Sequence, residues 1–451
     1  MKINRRKFVQ YGAGCVALAT GLLSLRSLNL LQSKKPNLIL FIVDDMRYGM
    51  TSYEGHPVIQ TPNLDKLAAD GYLFSNSFVT TPICPVSRAS ILTGNYALNH
   101  RVYQFNQPLP EKSRTFLKAF KDKGYKIGYV GKWGVGNWDK NLFDFDRIDD
   151  RRSLKAGLFW VVQKGVKRHL TDLQTSNALS FLRKATSSSP FLLVVSYSAV
   201  HGPFTPPKRF ASLYKDAKIP VYDKGDKNSL NQLTKHSINR QNYLRYSEDW
   251  GNYLKRIKDY YRLIAGVDES VGSIIKLLRD RNLYDKTGMI FTSDNGFMLG
   301  DHGLWGKAEM YDASLRVPFI VKPPKDVGAE SAHIDSKKLV LNLDVPATLL
   351  GMAGITPYRM DGRNVLTSHK PRQGFYCELI KNRPYLHNCE AYRDNNYKYM
   401  RYYKNDVSYE QLFDLVNDPE ELNPLDVEQN RAILEKYRQI MNDEKVRITT
   451  S

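Results

Sequence analysis

Cysteine is scarce: Cys15, Cys84, Cys377 and Cys389 are the four in 451 residues. That is too few for a fold stapled by disulfides, so stability has to come from a buried apolar core. No apolar run reaches the ~20 residues that a membrane-spanning helix needs; the stretch Tyr11–Leu25 has fifteen. Acids are in deficit, 46 Asp and Glu against 66 Lys and Arg, for a formal net charge of +20. Internal repeats are missing, and so is any low-complexity tract beyond Ser187-Ser188-Ser189. What remains is ordinary globular composition, 42% hydrophobic and 25% charged, which excludes a disordered or collagen-like chain. Length permits two or three domains, or one large α/β domain with an appendage.

The first 33 residues carry Lys2, Arg5, Arg6, Lys7 and Arg26 and no acid, with Tyr11–Leu25 behind the basic head. A basic head followed by a short apolar run marks a signal sequence rather than part of the fold. Arg5-Arg6-Lys7-Phe8 resembles a twin-arginine export signal. Residues 1–33 are therefore expected to direct a bacterial protein to the periplasm or the cell exterior, without a stable membrane span. Losing the leader's five positive charges would leave a net charge near +15.

A basic surface attracts nucleic acid, anionic lipid or acidic polysaccharide. The chain has no zinc-finger, basic-zipper or RNA-recognition pattern, so no nucleic-acid partner is expected. The excess is densest over 207–258, with 12 Lys and Arg against five Asp and Glu, and Tyr214, Tyr222, Tyr243, Tyr246 and Trp250 interleaved. Aromatic and cationic side chains together suit an anionic sugar; a surface insertion without a partner would look the same.

Continuous apolar runs at 37–43, 127–130, 191–197 and 289–292 read as strands buried on both faces. Between them lies helical periodicity, strongest in Ile257, Tyr260, Tyr261, Ile264, Val267, Val271, Ile274, Ile275 and Leu278. This alternation predicts an α/β fold with a large, mostly parallel sheet between helices. Past Asp361 the segments become short and tyrosine-rich (375–379, 397–403), then helical around 431–441. The expected organisation is a leader over 1–33, a main domain over 34–360, and a C-terminal subdomain over 361–451 with an antiparallel sheet and a helix.

In open α/β sheets, ligands sit outside the carboxyl ends of the strands. Asp44-Asp45 follows the first strand, and Asp294-Asn295 follows the strand ending near Thr292. Adjacent aspartates beside a buried strand repel each other unless a cation neutralises them, and Asp and Asn oxygens favour Ca²⁺ or Mg²⁺. A helix cap or Asx turn would explain either pair alone; the two together point to metal. In Thr81–Gly94, Pro85 suits the first position of a helix with Cys84 at its N-cap. Unpaired N–H groups collect anions there, and Arg88 one turn inside adds charge. That is a place for a nucleophile attacking a negatively charged ester, although a lone cysteine is more often a small buried hydrophobe.

Cys84-x-x-Ser87-Arg88-x-x-x-Leu92-Thr93-Gly94 resembles the signature of type I sulfatases, whose cysteine is converted to formylglycine. The likeness continues through Pro36-Asn37, Thr61–Asp65, Gly131-Lys132-Trp133, His201-Gly202-Pro203, Ser293–Gly296, Gly306-Lys307, Arg316–Pro318, Met360–Arg363 and Leu412–Leu415. The chain is thus similar to exported bacterial sulfatases of the alkaline phosphatase-like superfamily. The resemblance implies one divalent cation, Ca²⁺ before Mg²⁺, on Asp44, Asp45, Asp294, Asn295 and the formylglycine from Cys84. It implies that the hydrated aldehyde attacks sulfur and then expels sulfate. Arg88 would orient the hydrate, Lys132 and Lys307 would bind sulfate oxygens, and His201 would assist the leaving oxygen. It also implies a maturation enzyme that makes the formylglycine. Singly, His201 reads as a packing residue and the lysines as surface charges; the ordered set raises them. His302 receives no role.

The chain departs from that pattern twice. Val86 stands where the signature usually has proline, which bears on which maturation enzyme accepts the site. Gly134 stands where the family commonly has the histidine assigned as the base of sulfate elimination, so either another base, His100 or a metal-bound carboxylate, or water acting more slowly is expected to take that proton. The expected function is hydrolysis of a sulfate ester, on a carbohydrate. The alternatives are a formylglycine-dependent phosphodiester or phosphonate monoester hydrolase, and a non-catalytic protein that binds sulfated glycans. Cys377 and Cys389, separated by eleven residues around Asn382-Arg383-Pro384, could form a disulfide or remain buried thiols.

Overall fold

Alternate side chains of a strand point to opposite faces, so the unbroken apolar runs demand cover on both sides, and they receive it. The computed structural model describes residues 35–149, 159–163, 165–186, 189–222, 230–327, 333–335, 337–380 and 387–450. The expected leader, Ser187-Ser188 and the segment Asn382-Arg383-Pro384 lie outside the described residues. The central sheet contains β1 (Asn37–Val43), β2 (Tyr72–Phe74), β3 (Lys126–Lys132), β4 (Phe145–Asp149), β5 (Phe191–Ser196), β6 (Thr287–Ser293), β7 (Phe319–Lys322) and β8 (His333–Asp335). Their spatial order is β8-β2-β7-β6-β1-β5-β3-β4. β1 pairs parallel with β5 and β6, and β3 pairs parallel with β5 and β4. β7 alone runs antiparallel to its neighbours, β6 and β2.

The helices are α1 (Pro62–Ala69), α2 (Cys84–Thr93), α3 (Phe116–Asp122), α4 (Leu170–Lys184), α5 (Ile238–Ser247), α6 (Trp250–Asp280) and α7 (Asp344–Met352), besides single turns. Ile39, Phe41 and Val43 of β1 pack with residues of α1, α4 and α6, while Leu38, Leu40 and Ile42 pack with α2, α3 and α7. The two-residue period of one strand thus fixes a three-layer sandwich. The nine apolar residues read as the stripe of α6 are all buried.

The tyrosine-rich tail forms an antiparallel sheet of β9 (Gly374–Leu379), β10 (Asn388–Asp394), β11 (Tyr397–Lys404) and β12 (Val407–Asp414), followed by helix α8 (Arg431–Thr450). Phe375, Met400 and Phe413 from this sheet share an apolar cluster with Phe78, Val79 and Val86, so the tail supports the segment that begins α2. Cys377 and Cys389 are both free and buried, which excludes the disulfide in this structure. The register explains it: Cys377 faces Ala391 and Cys389 faces Leu379. The two thiols are diagonal neighbours, typically about 7–8 Å apart, beyond the usual span of a disulfide. Among the described residues no helix is long and apolar enough to cross a membrane.

Candidate active site

Parallel register delivers the acidic residues. Val43 pairs with Ser293, so Asp44-Asp45 and Asp294-Asn295 leave neighbouring strands at the same level. The Asp45 N–H donates to Asp294 Oδ1 at 3.1 Å, and Met46 N–H to Ser293 Oγ at 2.9 Å. Asp45 sits at φ 70°, a left-handed conformation that Asp tolerates better than most residues. Lys132 comes from the end of β3, and His201 from the loop after β5.

Helix α2 carries Cys84 as its first residue, with Ile83 as the cap in extended conformation (φ −148°, ψ 133°). The cap thus falls one residue earlier than the sequence suggested, because the first turn closes from Ile83 O to Ser87 N at 3.0 Å. Cys84 remains at the helix N-terminus, pointing at the strand ends. Its Sγ lies 3.2 Å from Asp44 Oδ1 and 3.8 Å from Asp45 Oδ1. One ligand atom from each of Asp44, Asp45, Cys84 and Asp294 lies within 4.8 Å of the others.

Cations close the cluster. Lys132 Nζ donates to Asp44 Oδ2 at 2.6 Å, and Lys307 Nζ reaches Cys84 Sγ at 2.7 Å and also Asp45 Oδ1. Arg88 Nε donates to Asp294 Oδ2 at 2.7 Å, while its Nη1 donates to Lys132 O at 2.8 Å and Ser196 Oγ at 2.5 Å. Arg88 therefore ties α2 to β3, β5 and β6. His201 Nδ1 lies 2.6 Å from Gly202 O, which can only accept, so this nitrogen carries the proton. The other nitrogen, Nε2, stands 3.7 Å from Asp45 Oδ2. The structure thus brings together all nine residues singled out in the sequence.

Burial shapes the charge states. It pushes the Cys84 thiol up to about 12, helped by Asp294 and Asp44, so an unmodified thiol here is protonated and a poor nucleophile. Burial and the neighbouring Asp44 raise Asp294. For Asp45 burial acts upward as well, but Lys307 and His201 outweigh it and hold the carboxyl below its ordinary value. Asp45 Oδ2 and Asn295 Oδ1 are buried without a hydrogen-bond partner among the described residues. Two orphaned acceptors beside three buried carboxylates fit a hard cation bound by oxygen.

The space beside Gly134 is a cavity of about 230 Å³, lined by Cys84, Lys132, Gly134, Asp149 and His201 among others. Gly134 has φ +82°, and a Cβ built on it would lie 2.8 Å from Arg88 Cδ. Arg88 thus occupies the start of the path a histidine would take. His100 does not substitute: its Nδ1 accepts from Val102 N at 3.1 Å, and its Nε2 meets Ser90 Oγ at 3.1 Å. It is a buried packing residue, neutral because burial lowers it to about 3. Asp149, at the end of β4 and opposite Lys132 in the register, does reach this cavity. Gln174 Nε2 donates to its Oδ2 at 2.6 Å. The sequence reading missed Asp149, whose one signal was its position at a strand end. His302 is buried and stacks on Tyr311 at 4.0 Å.

A family model described as Sulfatase matches residues 36–355, and one described as N-sulphoglucosamine sulphohydrolase, C-terminal, matches residues 300–447. An arylsulfatase of Clostridium perfringens is 28% identical over 90% of this chain and 94% of its own length. An N-acetylglucosamine-6-O-sulfatase of Bacteroides thetaiotaomicron is 24% identical over 87% of this chain and 83% of its own. The solved structure of BT4656 in complex with its substrate D-glucosamine-2-N,6-O-disulfate shares the fold, with a TM-score of 0.78 at 21% identity over 93% of this chain and 99% of that one. The chain belongs to the sulfatase family, whose members are sulfuric ester hydrolases.

Proposed function

We propose that this sulfatase removes sulfate from an ester on a carbohydrate, using residue 84 as formylglycine and one divalent cation, Ca²⁺ before Mg²⁺. The observation that carries the reading is the convergence of Cys84 with Asp44, Asp45 and Asp294 under two lysine ammonium groups. Asp44, Asp45, Asp294 and Asn295 would hold the cation, which supplies charge neutralisation for the carboxylates and for sulfate oxygens. Formylglycine supplies a hydrated aldehyde where a buried thiol would stay protonated. The carbohydrate class is supported by the relatives, among them the N-acetylglucosamine-6-O-sulfatase.

The chain's own residues divide the remaining work. Lys132 and Lys307 present two positive charges to a doubly charged transition state in a largely buried site, where such charges act most strongly. Arg88, bonded on three sides, fixes Asp294 and the Lys132 backbone and so keeps residue 84 in line with both. His201 stands at the cavity edge with Nε2 toward the site; with both ring nitrogens protonated, Nε2 would give its proton to the leaving alcohol oxygen. Gly134 offers no base; Asp149, on the same cavity, is the carboxylate placed to take the proton that sulfate release requires. In this reading residues 1–33 export the chain after the maturation enzyme has acted, and 34–360 and 361–451 are the catalytic domain and its supporting subdomain.

The test is a matched assay of an aryl sulfate and the corresponding phosphonate monoester. Sulfate release should dominate and should fall about 10⁶-fold in Cys84→Ala, with the fold intact by circular dichroism. Faster phosphonate hydrolysis, or wild-type turnover in Cys84→Ala, overturns the reading.

A further inference from the structure

Past the nucleophile the cleft opens into a second cavity of about 410 Å³, with Asp45, His201 and Lys307 on one side. Its other wall comes from α5, the start of α6, and the aromatic residues Phe204, Phe297 and Trp305. Trp305 meets Tyr246 edge to face at 5.3 Å and Phe297 at 6.0 Å, so the wall is a packed aromatic surface of the kind a sugar ring can lie against.

Arg256 breaks the apolar character of that wall. Its guanidinium lies over the Tyr246 ring at 4.0 Å and lines the same cavity as Lys307. The other cations nearby on α6 are engaged: Lys255 and Arg262 pair with Asp259, and Lys258 donates to Lys215 O. Among the described residues Arg256 makes no ion pair, and its Nε is buried without a hydrogen-bond partner. A buried donor left unpaired is destabilising, a cost that a ligand acceptor removes. A flat guanidinium, held by stacking and facing a cavity, matches a carboxylate or sulfate through two parallel hydrogen bonds.

We propose that the substrate is a sugar carrying a second anionic group besides the scissile sulfate, and that Arg256 binds this second group. The inference rests on the proposed sulfatase function and adds the charge of the substrate to it. A ring against Trp305 and Tyr246 places the ester sulfate toward Lys307 and the second anion toward Arg256. Arg256 is a specificity determinant, acting on binding rather than on the sulfur centre.

The test compares three sugars that share one sulfate ester: one otherwise neutral, one with a carboxylate, and one with a second sulfate. Wild type should prefer at least one charged sugar. Arg256→Gln should lower that preference, as the ratio of kcat/KM values, by about 10–100-fold, mainly through KM. Arg256→Lys should retain part of it. The arm that loses its preference names the anion as carboxylate or sulfate. Equal kcat/KM for all three sugars in wild type, or an unchanged ratio in Arg256→Gln, overturns the assignment while leaving the sulfatase reading standing. A wild type that releases sulfate neither from these sugars nor from an aryl sulfate overturns both.

Discussion

The two ends of the cleft handle charge in opposite ways. At the nucleophile end each cation is met by an anion of the protein: Arg88 by Asp294, Lys132 by Asp44, Lys307 by Asp45. At the far end Arg256 stands over a tyrosine ring with no such answer among the described residues. The dense end is built from the ends of paired strands, where register leaves little freedom and buried charges must be neutralised within the chain. The sparse end is built from α5, the start of α6 and neighbouring aromatic residues, where strand register does not pair every donor. In the proposed reading, the chemistry belongs to the first and the choice of substrate to the second.

Removing a group from the dense end should slow every substrate alike, and after Cys84 itself the largest such effect is expected at Asp149. Asp149→Asn should slow the phase after alcohol release by about 10²–10⁴-fold. Stopped-flow with an aryl sulfate would then show a burst of phenol before a slow steady state. An unchanged time course would remove Asp149 from the mechanism. Lys307→Met should lower kcat/KM by about 10²–10³-fold for neutral and charged sugars alike. A loss confined to charged sugars would mean that Lys307 serves recognition, and the contrast between the two ends would fail.

Cation removal should act on stability as well as turnover, because a cation held by Asp44, Asp45 and Asp294 would relieve their mutual repulsion. At 100 times its Kd an ion adds about 2.7 kcal/mol to stability. A chelator should therefore lower the melting temperature, and added Ca²⁺ should restore it, as read by calorimetry. A melting temperature indifferent to both would leave the carboxylates without an ion. The smallest effect concerns Gly134. Gly134→His restores the family's usual residue, yet its Cβ would meet Arg88 Cδ at 2.8 Å in a backbone of positive φ. A stability loss of about 1–3 kcal/mol without faster turnover is expected from denaturant titration. A faster, equally stable variant would show that Arg88 yields its place.

Much of the dense end was legible in the sequence because its residues follow apolar runs directly. Asp44-Asp45 and Asp294-Asn295 could be read as strand-end pairs, and the period of β1 and α6 revealed the layers. Asp149 was not legible, since β4 is neither continuously apolar nor cleanly alternating, and one carboxylate at its end has no local mark. His100 looked available because a sequence does not reveal that both ring nitrogens are engaged within the helix and the turn after it. The disulfide between Cys377 and Cys389 failed on register, which shifts the two residues diagonally across β9 and β10. The basic, aromatic segment 207–258 suits an anionic sugar by composition, but singling out Arg256 among its 12 basic residues required knowing which cations already have partners.

In the proposed reading the charge cluster serves residue 84 in a form other than cysteine. Mass spectrometry of the peptide containing residue 84, from protein matured in its native host, tests this most directly. Active material should carry the mass of formylglycine or its hydrate, with sulfate release rising in proportion to the modified fraction. An intact Cys84 thiol in fully active enzyme would contradict it.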